Sequence, residues 1–531
     1  MACTRGALQR KRLALAAAII GSGVGMLDST IVNIALPTIQ RSLGGGLAAE
    51  QWVVNAYVLT LGALILVGGS LEDVFGTRRV FALGVGGFGF VSVLCGLAPT
   101  IGVLVGLRAL QGVAGALLVP SSLALIVATF PEAERGRAIG TWTAFTTVAT
   151  VIGPLAGGAL LAIGSWRWLF FINVPFVLAC LALIWTAVPK AQARASRRVD
   201  LAGAGTAVTG LGGTVFALIE QPRFGWTSPA VLIPLAVGVL SLWVFVVIER
   251  RSRDPMLPFA LFARPNFGAA NLETFSVYAG LGVLIFFLVI FLQQVAGYSP
   301  LSSGLATLPA TVIVFGASRP FGALAGRLGP RRFMAAGPLI GAAGLFLLLR
   351  VGSHPSYLSD ILPAVALFGV GLAMTVAPLT ATVLNGVASA EAGIASAVNN
   401  AVARVAGLLG TAAVGSVLAA RFAASLAADL HGVRLGRAAR AAVLAARHLS
   451  LGRPALGGVP ARQAQAIDRA ANAASVTGFH VAVAVAAGLL VLGGLVGAFG
   501  IGRVAPASAG RRRVGEAIEQ RIGVHEVDPD G

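Results

Sequence analysis

Residues 69–80 read GSLEDVFGTRRV, and residues 322–333 read GALAGRLGPRRF. Both fit G-x-L-x-x-x-x-G-x-R-R-x, at an offset of 253, and both join one apolar run to the next. Two further echoes fall at nearly the same spacing. Glu134 to Ala138 and Glu391 to Ala395 share E-x-G-x-A at an offset of 257, and Pro120 and Pro378 occupy like places at 258. One echo of this kind is cheap, but three at nearly one offset indicate an internal repeat. A duplicated set of membrane helices is an architecture of secondary transporters, with the ligand site between the halves near mid-membrane.

The rest of the chain fits that frame. Of its 531 residues 57% are hydrophobic and only 11% are charged, against about 25% charged in soluble domains. A soluble fold has no means of hiding so much apolar surface, so soluble enzymes and disordered chains are excluded. A helix that crosses a bilayer needs roughly 20 apolar residues. Fourteen such runs can be drawn, near 13–36, 52–71, 80–98, 101–128, 138–162, 168–188, 201–219, 230–248, 267–292, 304–326, 333–349, 361–384, 394–420 and 476–501. Arg319 and Pro320 interrupt the tenth. The repeat assigns runs 1–6 and 9–14 to two six-helix halves, with runs 7 and 8 inserted between them. The expected fold is therefore all-α and polytopic, with 14 spans. Its parts are an N-terminus over 1–12, a first half over 13–190, inserted helices over 191–260, a second half over 261–502 and a tail over 503–531.

Basic residues set the orientation. One set of short loops carries 19 Arg and Lys, at 5–12, 78–79, 135–137, 190–198, 250–264 and 327–332; the alternate set carries Arg41, Arg167, Arg223 and Arg350. The first set is expected on the cytoplasmic side, with both termini. Residues 421–475 fall outside on this count yet hold eight arginines. Long loops translocate largely regardless of charge, so the orientation stands. Residues 436–449 read as an amphipathic surface helix, with an outer gate or a membrane contact as the sharper reading.

Several chemistries are absent. The three cysteines (Cys3, Cys95, Cys180) form no CxxC, and the five histidines form no HExxH, so no metal site is expected. The only lysines, Lys11 and Lys190, follow no glycine, so GxxxxGK[ST] cannot be written and no ATP site is expected. The net charge of +19 sits in short clusters between apolar runs, which points to membrane orientation and away from nucleic acid.

Further motifs appear in order along the chain. They are LDSTIVNIALP at 27–37, GSLEDVFGTRR at 69–79, RALQG at 108–112, GPLAGG at 153–158, WRWLFFINVP at 166–175 and FLQQVAGYSP at 291–300, followed by GFHVAVAVAAG at 478–488. Together they resemble the major facilitator superfamily, and more narrowly its 14-helix drug:proton antiporter family. The resemblance runs from about residue 13 to 420 and resumes at 478. It implies a proton-driven exporter without cofactor, with Asp28 and Arg108 in the coupling motifs. It also implies that Gly153 and Pro154, with Gly157 and Gly158, form the motif that marks antiporters. In physical terms that motif suits a kink and close helix packing. The loop residues Gly69, Asp73, Gly76, Arg78 and Arg79 suit a tight reversal whose charges pair with helix ends and with the other half, as a cytoplasmic latch. Val74 stands where the family usually has a basic residue, and the second copy has Gly326 in place of Asp73. A weaker or asymmetric latch is expected from both departures.

An ionisable side chain inside a span is costly and marks function by default. Asp28 is the only acid well inside the first six runs as drawn. It lies eight residues before Leu36, and Arg108 lies seven after Ile101, so both sit roughly 10–12 Å below the outer surface at 1.5 Å per residue. At equal depth they can pair or share one cavity. Burial favours the neutral acid and a nearby Arg favours the carboxylate, so moving Arg108 shifts the proton equilibrium. A static ion pair is the alternative. Glu273 and Arg404 are candidates for a second proton or cation site or a cavity charge, with interfacial or structural roles as alternatives. Asn33, Asn55, Tyr57, Gln111, Tyr278 and Asn400 are expected to line the cavity.

The expected function is a proton-coupled antiporter of a bacterial cytoplasmic membrane. By alternating access it exports lipophilic or cationic drugs or antibiotics, its partners being the small substrate, protons and the bilayer, and it works as a monomer. One alternative is an exporter dedicated to one metabolite, lipid or self-made antibiotic. The other is a sensor or scaffold that moves nothing.

Overall fold

The computed structural model describes residues 2–188, 200–252, 255–385, 387, 391–447, 449, 451–452 and 454–502. The basic loop expected over 190–198 and the tail over 503–531 lie outside these residues. Helices account for the described architecture, and no strand occurs among the described residues. In chain order they are α1 (Ala2–Leu43), α2 (Leu47–Phe75), α3 (Thr77–Leu97), α4 (Ile101–Thr129), α5 (Glu132–Ile163), the short α6 (Trp168–Phe171) and α7 (Asn173–Ala187). Then follow α8 (Leu201–Phe224), α9 (Pro229–Arg251), α10 (Pro265–Gln294), α11 (Pro300–Leu328), α12 (Pro330–Leu347), α13 (Leu362–Asn385), α14 (Ala392–Asp429), α15 (Arg437–Ala446) and α16 (Ala461–Gly500). Fourteen of the helical segments are long and apolar enough to cross a bilayer, α6 and α7 forming one of them.

Local chemistry sets the breaks. Gly44 (φ 78°) and Gly45 (φ 101°) turn the chain between α1 and α2. The Thr100, Ser228 and Ser299 side chains cap the starts of α4, α9 and α11, and Pro229, Pro265, Pro300 and Pro330 occupy first turns, where no amide hydrogen is needed. The repeated loop reverses on a glycine in each copy, Gly76 at φ 83° and Gly329 at φ 89°. At those angles a Cβ is strained, which explains why G-x-R-R recurs with its glycine intact. Arg319 and Pro320 do not end the tenth span, because α11 runs through both.

Helices α1–α7 pack together, as do α10–α16. A continuous core joins the two groups: Leu27, Ile31, Val283, Phe287, Phe291 and Phe479 belong to one buried cluster, and the Phe291 and Phe479 rings stack at 4.1 Å. Helices α8 and α9 cross closely at Gly213 and Gly238, which leave no room for a Cβ. Helix α8 then packs on α2 and α14, while α9 buries only Val231, Gly238 and Glu249. The loop expected over 421–475 is largely helical. Helices α14 and α16 extend into it, and α15 sets Ala439, Val443 and Ala446 against Phe422, Leu426 and Ile467. Its apolar face is thus covered by the chain itself.

Contacts between the groups gather toward the end opposite the arginine-rich loops. Gln293 Nε2 donates to Ile34 O (2.9 Å), and Gln51 Nε2 donates to Thr411 O (2.6 Å). Thr411 Oγ1 donates to Asn55 Oδ1 (3.1 Å), and Gln294 bridges Gln40 and Glu50. Among the described residues these are the hydrogen bonds that join α1–α7 to α10–α16.

Candidate functional site: a buried ion pair beside an uncharged cavity

Three motifs meet inside the first group. Gly112 lets α4 press against α2, since a Cβ there would overlap the Tyr57 carbonyl and the Thr60 hydroxyl. That contact carries Arg108, one turn earlier, into the core. Its Nε donates to Val53 O (3.1 Å), and its guanidinium lies 4.4 Å from the centre of the Tyr57 ring. One terminal nitrogen donates to Asp28 Oδ2 at 2.5 Å and to Gln111 Oε1 at 2.7 Å. The other Asp28 oxygen accepts from Gln111 Nε2 (3.1 Å) and from Asn173 Nδ2 (3.2 Å). Asn173 also donates to Ser92 Oγ (2.9 Å), and Ser92 to Phe170 O (2.9 Å). Asp28 and Arg108 are 0% and 1% exposed.

Asp28 thus holds three donors, one of them a cation, at the crossing of α1, α4 and α7. Removing one partner of such a pair leaves a buried charge uncompensated, at about 3–5 kcal/mol. The sequence reading singled out Gln111 and Tyr57 without placing them here, and it missed Asn173 and Ser92. Asn173 lies in WRWLFFINVP, where a lone amide in an apolar run was the available signal.

A cavity of about 210 Å³ lies between the two groups. Thr30 and Asn33 of α1 and Thr150 and Pro154 of α5 face Leu284 and Leu288 of α10, Thr307 and Thr311 of α11, and Phe368 of α13. Among the described residues that line it, none is charged. Asn33 donates to Ser29 O, while its buried carbonyl oxygen has no partner, leaving one free acceptor among aliphatic walls. Asp28 does not line this cavity, although Thr30, two residues on, does. The antiporter-type motif forms the wall. A Cβ on Gly153 would overlap Thr30 Oγ1, one on Gly158 would come within 2.5 Å of Leu301 Cα, and Pro154 packs on Gly304. Gly157 faces Ile31 at ordinary contact distance. The motif therefore holds α5 against α1 and, across the seam, against α11.

A larger cavity, about 1080 Å³, opens beside the inserted helix, between α2, α4, α8 and α14 and next to α15. Trp52, Phe216, Glu220, Arg223 and Arg447 line it, and Trp52 Nε1 donates to Glu220 (3.0 Å). Among the described residues no group of three His, Cys, Asp or Glu side chains can hold a metal ion.

The remaining candidates disperse. Glu273 is 0% exposed, and neither of its carboxylate oxygens has a hydrogen-bond partner. Arg404 stands beside Gly62, in electrostatic reach of Tyr57 and Tyr278, and its buried Nε is unpartnered. No ion pair joins Glu273 to Arg404 among the described residues. Asn55 belongs to the seam, Tyr278 is half-buried in the second group, and Asn400 is exposed and donates to Ser396 O. None of these three lines the cavity between the groups. In the repeated loop Gly69 has open space around it, Asp73 is half-buried and Arg79 is exposed. Arg78 donates to Trp185 O (3.2 Å) and stacks on its ring at 5.2 Å, while Arg331, its repeat partner, donates to Ala498 O (2.6 Å). Each arginine therefore caps the last helix of its own half, where the sequence reading had also expected contacts across the halves.

Asp28 is joined by two further buried acids nearer the ends of a span, which the runs as drawn did not include. Helix α2 extends past the 52–71 run at both ends and carries Glu50 and Glu72 inside it, 3% and 8% exposed. Glu72 Oε1 accepts from Ser121 Oγ at 2.5 Å.

Comparison with known proteins agrees with this architecture. The family model of the Major Facilitator Superfamily matches residues 18–411. The puromycin resistance protein pur8 of Streptomyces alboniger is 41% identical over 408 residues, 76% of this chain and 80% of that protein. The multidrug resistance protein Stp of Mycobacterium tuberculosis is 37% identical over 413 residues, 77% of this chain and 76% of its own. The tetracenomycin C resistance and export protein of Streptomyces glaucescens is 33% identical over 493 residues, 91% and 90% of the two chains. Among solved structures, an inward-facing, unoccupied bacterial homologue of the human lysosomal transporter Spinster superposes with a TM-score of 0.62 at 19% identity, over 94% of this chain and 99% of its own. The chain is thus a multi-pass membrane transporter, and it belongs to the Major Facilitator Superfamily.

Proposed function

We propose that this transporter is a proton-coupled antiporter that exports lipophilic antibiotics across the cytoplasmic membrane by alternating access. The carrying observation is the separation of charge from cavity. Asp28 and Arg108 are locked together within the first half, and the space between the halves is uncharged and mostly aliphatic. Such a cavity suits an apolar body with a few hydrogen-bonding groups. The names of the relatives, which speak of antibiotic resistance and of export, support the same substrate class. Nothing in the lining favours a cation over a neutral compound.

Proton and substrate then act at different places. A proton reaching Asp28 neutralises it and frees Arg108, and α1 and α4 shift to re-pair the guanidinium. Helix α1 also carries Thr30 and Asn33 of the cavity wall, so that shift reshapes the cavity. The electrical component drives inward proton flow with about 2.3 kcal/mol per charge per 100 mV. In this reading the arginine-rich loops and both termini face the cytoplasm, the seam through Gln40, Glu50 and Gln294 is the closed outer end, and the unit is a monomer.

Everted membrane vesicles with a respiration-driven proton gradient test the reading. Several lipophilic antibiotics are expected to release protons from vesicles holding the native chain and none from vesicles holding Asp28→Asn. Release by a single compound would favour a dedicated exporter. Equal release by both chains would remove Asp28 from coupling.

A further inference from the structure

Glu50 takes no part in the exchange described above, yet it sits where the halves meet. It lies in the first turn of α2 and is buried. Its Oε1 accepts from Gln294 Nε2 at 3.1 Å, and the same nitrogen donates to Gln40 Oε1 at 3.0 Å. One amide at the end of α10 thereby clasps two residues of the first half. Around Glu50 stand Leu36, Ile39, Ala49, Val53 and Ile101.

Among the described residues no cation compensates it. Arg41 of α1 turns back onto Pro37 O and Thr38 of its own helix. Arg108 of α4 is committed to Asp28. On α8, Glu220 accepts from Trp52, and Arg223 lies over Phe224. On α14, Arg404 lies beside Gly62, three turns further along α2. Helix α3 brings its arginines to the opposite end of α2, and α10 carries no charged residue beyond Glu273. The free amides at the start of α2 favour a carboxylate modestly. The loss of water around an ionised group held by one neutral amide outweighs this. When the halves part at this end, Gln294 leaves with α10 and Glu50 meets water, where the carboxylate is the stable form. The two conformations hold the proton unequally, so proton binding and closure favour each other.

We propose that Glu50 is a proton-binding site of the outer seam, filled from the outer water when the halves part and holding the seam shut once filled. The proposal rests on the alternating-access reading above. The proton enters and leaves on one side, passing from water to the carboxylate and back. It sets the balance of the seam and adds nothing to the number of protons carried per cycle.

Paired spin labels read the seam directly. Ser42→Cys and Ser302→Cys, both at exposed positions on opposite sides of it, are introduced after Cys3, Cys95 and Cys180 are replaced, and distances are measured in lipid nanodiscs between pH 5 and 9. The expected result is two distances, with the long-to-short ratio rising at least tenfold toward alkaline pH. Glu50→Gln, an isosteric stand-in for the protonated acid, is expected to stay short at every pH. Gln294→Leu keeps the acid and loses the clasp, so its ratio is expected to remain pH-dependent and to lie higher throughout. An unchanged pH response in Glu50→Gln, or unchanged populations in Gln294→Leu, overturns the proposal while leaving alternating access intact. A single distance at all pH values, with and without an added antibiotic, overturns both.

Discussion

The two halves share a skeleton and differ in how they hold charge. Gly76 and Gly329 turn the same way, and Arg78 and Arg331 cap equivalent helices. In the first half Asp28 has Arg108, Gln111 and Asn173 around it. In the second half, among the described residues, Glu273 has no donor and the buried Arg404 Nε no acceptor. The features that recur are those that hold a helix bundle together, and the buried charges are where the two groups differ. The paired set is compensated within its own half. The unpaired set is already in the state that pairing prevents.

The largest expected effect comes from breaking the pair. Arg108→Ala leaves Asp28 buried without its cation and is expected to cost about 3–5 kcal/mol of stability along with all export. The double change Asp28→Leu, Arg108→Met removes both charges and fills the space. It is expected to recover most of the stability, since replacing a buried pair by apolar groups is often neutral or better, while export stays lost. Thermal unfolding in detergent and antibiotic accumulation in cells read the two separately. If export returned with stability, the pair would be a structural tie and the contrast between the halves would lose its functional meaning.

The second half predicts the opposite sign. Glu273→Leu removes a buried acid whose oxygens satisfy nothing, and it is expected to stabilise the protein by about 1–3 kcal/mol, the cost of leaving such a group unsatisfied. Export is expected to fall severalfold, because an unpaired acid kept at that cost is a proton site by default. Stabilisation with full export would sharpen the comparison in another direction, confining coupling to the first half.

Much of this contrast was legible in the sequence. Helix depth alone brought Asp28 and Arg108 level, and the structure has them in contact. The span count followed from apolar runs, and the close packing at Gly153 and Gly158 from small residues. The misses share a cause. A hydropathy run is closed at its first charged residue, so Glu50 and Glu72 fell outside the run drawn over 52–71, although α2 continues through both. Which face of α1 meets the cavity was also hidden, because a helix apolar all round carries no periodic mark. Thr30 and Asn33 reach the cavity while Asp28 turns inward. In residues 421–475 the polarity reflects helices packing on one another beyond the apolar runs, with α15 buried on one side only.

The smallest effect tests the shared skeleton. Arg78 and Arg331 each meet a carbonyl near the end of the last helix of their half, where a cation is worth about 0.3–1 kcal/mol. Arg78 also stacks on Trp185, which adds roughly 0.5–1 kcal/mol at an exposed site; no ring stacks with Arg331 among the described residues. Arg78→Ala is therefore expected to lower the melting temperature slightly more than Arg331→Ala. In the Trp185→Leu background the two substitutions are expected to become equal, as the repeat requires. A gap that persisted there would mean that Arg78 does something its copy does not, such as gripping the other half in the alternate conformation. The latch expected from the sequence would then have to be sought in that state, with Arg78 rather than Asp73 as its moving part.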